Sequence, residues 1–215
     1  MKDFNDLFEL NEQKKTEIGV SFIVPEIANQ PNLWTQTLSV ISSEHLMLEE
    51  LISHAHDGLI LSGAGSSEYV GSAIQYELSL RLGVQARSVS TTSILTSPLK
   101  GLGISGQPLF ISFARSGDSP ESVGAFDAIR RQLPHARQLV ITCNDQGALF
   151  KRARADQHSY AVLLPKIAND RSLVMTGSYS SMVLAGLALA YLDRLDLLQE
   201  RLSVLQESIQ GFLEN

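Results

Sequence analysis

Two short runs of small and hydroxyl-bearing residues are where this chain could do chemistry. Gly63-Ala64-Gly65-Ser66-Ser67-Glu68 and Ala114-Arg115-Ser116-Gly117-Asp118-Ser119 each follow an apolar run and lead into a helical pattern. Serine hydroxyls and backbone amides at a helix start are neutral donors, and the helix dipole adds a favourable field for an anion. Two such turns converging on one point can therefore hold a phosphate without a lysine. The glycines and hydroxyls that would do this are Gly65, Ser66, Ser67, Ser116, Gly117 and Ser119. Any one of these serines could instead be a helix cap. Ser119 fits that role well, with Pro120 at the first helical position and Glu121 in the first turn. Two hydroxyl-rich turns at one sheet edge favour binding over capping.

Other chemistries fit the residues less well. A dinucleotide fingerprint needs a glycine where Glu68 stands, and Ser90-Thr91-Thr92-Ser93 after the second strand lacks the acidic ribose ligand. No Gly-Lys-Ser/Thr triplet follows a glycine run, which argues against a phosphate-loop NTPase. No nicotinamide, flavin or other cofactor is expected. His54, His56 and Asp57 lack a further ligand at metal-site spacing, so no metal is expected either. His45 reads as a helix-face residue, and His135 and His158 flank strands at the edge opposite the serine turns. Cys143 ends a buried strand and reads as a small core residue. Arg171 reads as a structural salt-bridge partner, while Arg115 could pair with a phosphate or with an acid. Lys151-Arg152-Ala153-Arg154 reads as a solvated helix end.

The elements that must position the turns follow from a change of hydrophobic period. An amphipathic helix is expected over Asp3 to Lys15, a turn around Pro25 and Pro31, and a longer helix from Leu33 to about His54. Strand, glycine turn and helix then recur: Gly58 to Ser62 with a helix to Leu82, Pro108 to Phe113 with a helix from Pro120 to Leu133, and Gln138 to Cys143 with a helix to Ala155. Ala86 to Val89 and Ser159 to Leu164 make five strands. Nearly continuous apolar strands alternating with helices predict an α/β three-layer sandwich around a five-stranded parallel sheet, preceded by extra N-terminal helices. The stretch from about Ser172 to Leu213 reads as helical, with a break near Asp193 to Asp196. The division expected is N-terminal helices over 1–54 and one α/β domain over 55–215.

Composition narrows the class. The chain has 215 residues, 44% apolar and 19% charged, enough for one full domain with a core. Its net charge of −6, with no arginine-rich tract, argues against nucleic acid as a partner. One cysteine excludes an intrachain disulfide, the charged N-terminus is unlike a signal peptide, and the apolar stretch from Met182 to Leu192 is too short for a membrane span. A cytoplasmic protein is expected. The apolar faces of the N-terminal helices, with Trp34 as anchor, predict at least a homodimer.

The serine turns carry a family resemblance. With Ser112-Phe113 before the second turn and Pro120-Glu121-Ser122 after it, they look like the sugar isomerase (SIS) domain. More narrowly the chain is similar to the tagatose-6-phosphate ketose/aldose isomerase family, also described as galactosamine-6-phosphate deaminase/isomerases. Ala28-Asn29-Gln30-Pro31-Asn32-Leu33-Trp34, Ile141 to Leu149 and Asn169 to Thr176 point the same way, so the similarity spans roughly Ile27 to Thr176. It implies a flavodoxin-like five-stranded parallel fold that binds a hexose or hexosamine 6-phosphate through Ser66, Ser67, Ser116 and Ser119. Arg115, Thr176 and Ser178 would help enclose the sugar. Family members are about twice this length, and their proton-transfer glutamate and His-Gly-Pro segment lie in a second SIS domain. Within this chain only Glu77, ten residues past Ser67 on the same helix, and Glu121 are acid-base candidates. Glu77 resembles a glutamate that acts across a dimer interface in some single-domain SIS enzymes. Three readings stand: the phosphosugar-binding first domain of an isomerase or aminosugar-phosphate deaminase, a non-catalytic phosphosugar sensor, and a single-domain isomerase whose site is shared between subunits.

Overall fold

The computed structural model describes residues 5–213. Five strands, β1 (Leu59–Gly63), β2 (Ala86–Ser88), β3 (Leu109–Ala114), β4 (Gln138–Thr142) and β5 (Ser159–Leu163), form one all-parallel sheet in the order β2-β1-β3-β4-β5. This is the flavodoxin-like order expected. Each central strand is apolar on both faces because both are covered. Leu59, Leu61, Ile111, Phe113, Leu139, Ile141 and Val162 point to one side, where helices Gln30–Ser43, His45–Ser53, Ser66–Leu82, Gly177–Ala188 and Leu195–Leu213 supply the largest core cluster. Ile60, Phe110, Val140 and Ala161 point to the other, under helices Thr91–Thr96, Pro120–Gln132 and Ala148–Ala155. Three layers result.

Register fixes the functional edge. Leu59 pairs with Leu109 and Gly63 with Phe113, so β1 and β3 run side by side and end together. The chain leaves β1 toward β2 on one side and β3 toward β4 on the other, and the helices that follow lie on opposite faces. A crevice opens between them, the place where parallel sheets bind ligands.

The N-terminal region differs from its sequence reading. The helix expected over Asp3 to Lys15 is two short ones, Asn5–Glu9 and Glu12–Glu17, the second capped by Asn11, whose side-chain Oδ1 accepts from the Lys14 amide at 2.8 Å. Asp3 and Phe4 lie outside the described residues. Pro25 and Pro31 mark no turn. They sit in the first turns of helices Ile23–Ala28 and Gln30–Ser43, where a missing amide costs nothing. The single long helix expected to reach His54 breaks at Glu44 (φ −97°, ψ 5°), after the Ser43 hydroxyl turns back on the Val40 carbonyl. The Thr91–Thr96 helix, capped by the Ser90 hydroxyl, is an element not expected from the sequence. Residues 172–176 are loop rather than helix, and the break expected near Asp193 to Asp196 is a 3₁₀ segment, Leu189–Arg194, that overlaps that range and kinks at Tyr191 (φ −128°, ψ 21°).

Candidate functional site

The two serine turns leave the adjacent ends of β1 and β3. In the first, the helix start is Gly65 and not a serine: its φ of +56° and ψ of −128° suit only glycine, and it offers no side-chain cap. Ser66 and Ser67 therefore lie inside the first turn with hydroxyls that no cap consumes. Ser66 is exposed, and among the described residues its hydroxyl meets no protein partner. Ser67 is buried and its hydroxyl touches only the Met175 sulfur, at 4.0 Å.

The second turn divides its labour. Ser119 is an ordinary cap, its hydroxyl accepting from the Ser122 amide at 3.2 Å and donating to the Ser122 hydroxyl at 2.8 Å. Ser116 is exposed and its hydroxyl accepts only a long contact, 3.4 Å, from the Asp118 amide. Gly117 takes φ +67°, which bends the chain between them. The turn after β4 buttresses this one. Asn144 Nδ2 donates to the Ser116 carbonyl at 2.8 Å, the Leu149 amide to the Gly117 carbonyl at 2.9 Å, and the Ala148 amide to Asp118 Oδ1 at 2.9 Å.

A loop over 171–176 lies beside the crevice. Arg115, the residue left open between phosphate and acid, donates from Nη1 to the Ser172 carbonyl at 3.0 Å. Arg171, expected as a salt-bridge partner, has no such partner among the described residues; its guanidinium stacks over the Phe22 ring, 4.0 Å from the centroid. Asp170 is buried and caps the Gly177–Ala188 helix from outside, accepting from the amides of Thr176 (2.8 Å) and Ser178 (2.9 Å) and from the Ser178 hydroxyl (2.6 Å). Ser178 is thus fully buried and its hydroxyl is spent on Asp170, away from the crevice, while Thr176 is half-buried at the loop's end. Sequence reasoning missed Asp170, because its partners Thr176 and Ser178 lie inside a segment that read as helix from about Ser172, and missed Glu26, because the amides it accepts from, those of Arg171 and Ser172, are some 145 positions away.

The other candidates sit elsewhere. Glu77 lies about 15 Å along the helix from Ser67 at 1.5 Å per residue, and accepts from the Tyr191 hydroxyl at 2.5 Å. That bond, with burial and the Glu77 charge behind it, raises the Tyr191 pKa. Glu121 is half-buried in the first turn of Pro120–Gln132, where it complements the dipole. Burial pushes the Cys143 thiol up to about 12, with Asp170 adding to the rise and Arg115 opposing it, so it is a core residue and no nucleophile. His45 bonds the Leu192 carbonyl, and His135 and His158 meet edge to face, away from the serine turns. Among the described residues no cluster of histidine, cysteine and carboxylates could hold a metal. Trp34 is no surface anchor: it is buried and donates from Nε1 to the Ser180 hydroxyl at 2.9 Å.

No family model matches the chain. The D-galactosamine-6-phosphate deaminase AgaS of Escherichia coli O157:H7 is 37% identical over 167 residues, covering 76% of this chain and 44% of that protein. A crystal structure of tagatose-6-phosphate ketose/aldose isomerase from Escherichia coli is 30% identical, with a TM-score of 0.80 over 87% of this chain and 53% of that one. The chain belongs to this SIS-domain family. A solved structure from Clostridium novyi NT matches the whole SIS chain at 30% identity and a TM-score of 0.89, again over only 55% of its own length. The chain spans about half the length of the curated relatives it matches. Among its described residues no helix is long and apolar enough to cross a membrane.

Proposed function

We propose that this SIS domain binds the phosphate of a hexose or hexosamine 6-phosphate in the β1/β3 crevice, as the binding half of a ketose/aldose isomerase or aminosugar-phosphate deaminase of the cytoplasm. One observation carries the reading. Of the four serines at the crevice only Ser119 is used as a cap, while the hydroxyls of Ser66, Ser67 and Ser116 have no strong protein partner. Hydroxyls at two helix starts with no structural task fit a ligand better than they fit the fold. A phosphate held there fixes the sugar so that enolisation needs no further search, which is how remote binding energy lowers a barrier.

Proton transfer has a separate source in this reading. Glu77 is about 15 Å along its helix from Ser67 and bonded to Tyr191, so it reaches a sugar only across an interface. An interface there is supported by the outer face of the same helix, where Tyr69, Tyr76 and Leu80 are 66%, 80% and 78% exposed. A second copy of the chain, meeting the first through these same side chains, is the partner proposed for that face. Binding without turnover, the sensor reading, is favoured because the carboxylates at the serine turns have other tasks, Asp118 accepting from the Ala148 amide and Glu121 complementing the helix dipole, and it gives way to catalysis if a second subunit supplies an acid and base.

Thermal unfolding with hexose and hexosamine 6-phosphates, each beside its unphosphorylated sugar, tests the binding. A ligand selective for the native state raises the midpoint. The phosphorylated sugars are expected to do so, and the Ser67→Ala, Ser116→Ala double variant to lose the response. No shift with any sugar phosphate overturns the proposal.

A further inference from the structure

The 171–176 loop is ordered without burying apolar surface at its tip: Leu173 is 94% and Val174 56% exposed. Ordering a loop costs backbone entropy at every residue, so bonds at its base must offset that. The largest share comes from one side chain in a distant part of the chain. Glu26, half-buried on the Ile23–Ala28 helix, accepts from the Arg171 amide at 2.6 Å and the Ser172 amide at 3.2 Å, and also from the Ser172 hydroxyl. Hydrogen bonds to an ionised acceptor are roughly twice as strong as neutral ones. Phe22, the residue that opens that helix, adds the ring under Arg171.

The held residue is also the one that reaches the crevice. Ser172 presents its carbonyl to Arg115, in the turn after β3, and its hydroxyl contacts the Val174 carbonyl at 2.8 Å. Met175, three residues on, meets Ser67 in the turn after β1. One loop thereby touches both serine turns. We propose that Glu26 is a positioning residue of the sugar site: it fixes the loop so that Arg115 and Met175 close over the sugar portion of a bound sugar phosphate. This rests on the phosphosugar reading above. Glu26 acts through the loop and contacts no ligand itself.

Two readouts separate this role from a general effect on folding. Hydrogen exchange needs no ligand: in Glu26→Ala the Arg171 and Ser172 amides lose their acceptor and should exchange about tenfold faster or more. The Thr176 and Ser178 amides, held by Asp170, should be unchanged. Binding then compares a hexose 6-phosphate with inorganic phosphate: Glu26→Ala should weaken the former about tenfold and leave the latter as in the wild type. Glu26→Gln, which keeps one acceptor and the side-chain length, should fall between and serves if the alanine variant does not fold. Unchanged exchange at Arg171 and Ser172 overturns the clamp. Faster exchange with wild-type sugar-phosphate affinity overturns its role in positioning. A wild-type protein that binds no sugar phosphate sinks the functional reading and the positioning role together, while the exchange arm still decides whether Glu26 holds the loop.

Discussion

Gly147 packs directly beneath the carbonyl of Ser116, so that a Cβ there would lie 2.4 Å from that oxygen and 3.2 Å from the Gly117 Cα. Its backbone angles are open to any residue (φ −62°, ψ 144°), so what reserves the position for glycine is proximity alone. Gly147→Ala must push the second serine turn away from β4. Overpacking of this kind costs about 1–3 kcal/mol, and the displaced turn is the one that presents Ser116. We expect a lowered melting temperature together with a loss of sugar-phosphate affinity of about tenfold or more, both read from unfolding curves across a ligand series. Wild-type affinity in the folded variant would show that the geometry of this turn does not matter for binding.

Ser119 and Ser66 should separate capping from binding. Ser119→Ala removes a hydroxyl that accepts from the Ser122 amide, and loss of such a cap costs about 1 kcal/mol. Ser66→Ala removes an exposed hydroxyl with no protein partner, so its stability should stay within about 0.5 kcal/mol of wild type. The ligand response should run the other way, with Ser66→Ala losing more of the phosphosugar-induced shift. Denaturant unfolding with and without a hexose 6-phosphate gives both numbers.

This contrast also marks what the sequence could and could not show. Strand alternation made the sheet legible, because residues such as Leu59 and Ile60 must be apolar on successive positions only when both faces are covered. The serine turns were legible for the same local reason, since glycine and hydroxyl residues follow the strands directly. Which serine caps was not legible, because Gly65 rather than Ser66 opens its helix, a choice set by φ and ψ. Long-range partners were hidden altogether. Glu26 and Ser172 are 146 positions apart, Trp34 and Ser180 the same, and only the packed fold shows that the first pair holds a loop and the second buries an indole taken from sequence as an interface anchor.

Tyr160 carries a pH dependence. Burial and, next, its hydrogen bond to Glu44 push its pKa up to about 12 from 10.0. Because the folded state holds this proton more tightly than the unfolded chain, the contribution is complete below the unfolded value and fades as pH rises through the interval to about 12. Tyr160→Phe should cost about 1 kcal/mol at neutral pH, and the gap from wild type should narrow only above pH 10. A gap that closes in the acidic range would point to Glu44 acting alone.

Tyr76 tests the assembly. Tyr69, Ala73, Tyr76 and Leu80 recur at four, seven and eleven positions along Ser66–Leu82, which places them on one face, opposite the buried Val70, Ile74 and Leu78. An antiparallel pairing of two such helices about a two-fold axis would set Tyr69 of one copy near Leu80 of the other, with the small Ala73 allowing close approach. Three large apolar side chains at 66–80% exposure are costly to leave in water, and covering each is worth about 1.5–3 kcal/mol. Tyr76→Asp puts a charge at the centre of that face while removing nothing the monomer core uses. Sedimentation equilibrium should show a dimer for the wild type and a folded monomer for the variant. If both sediment alike, the face is not the interface and Glu77 has no route to a neighbouring site.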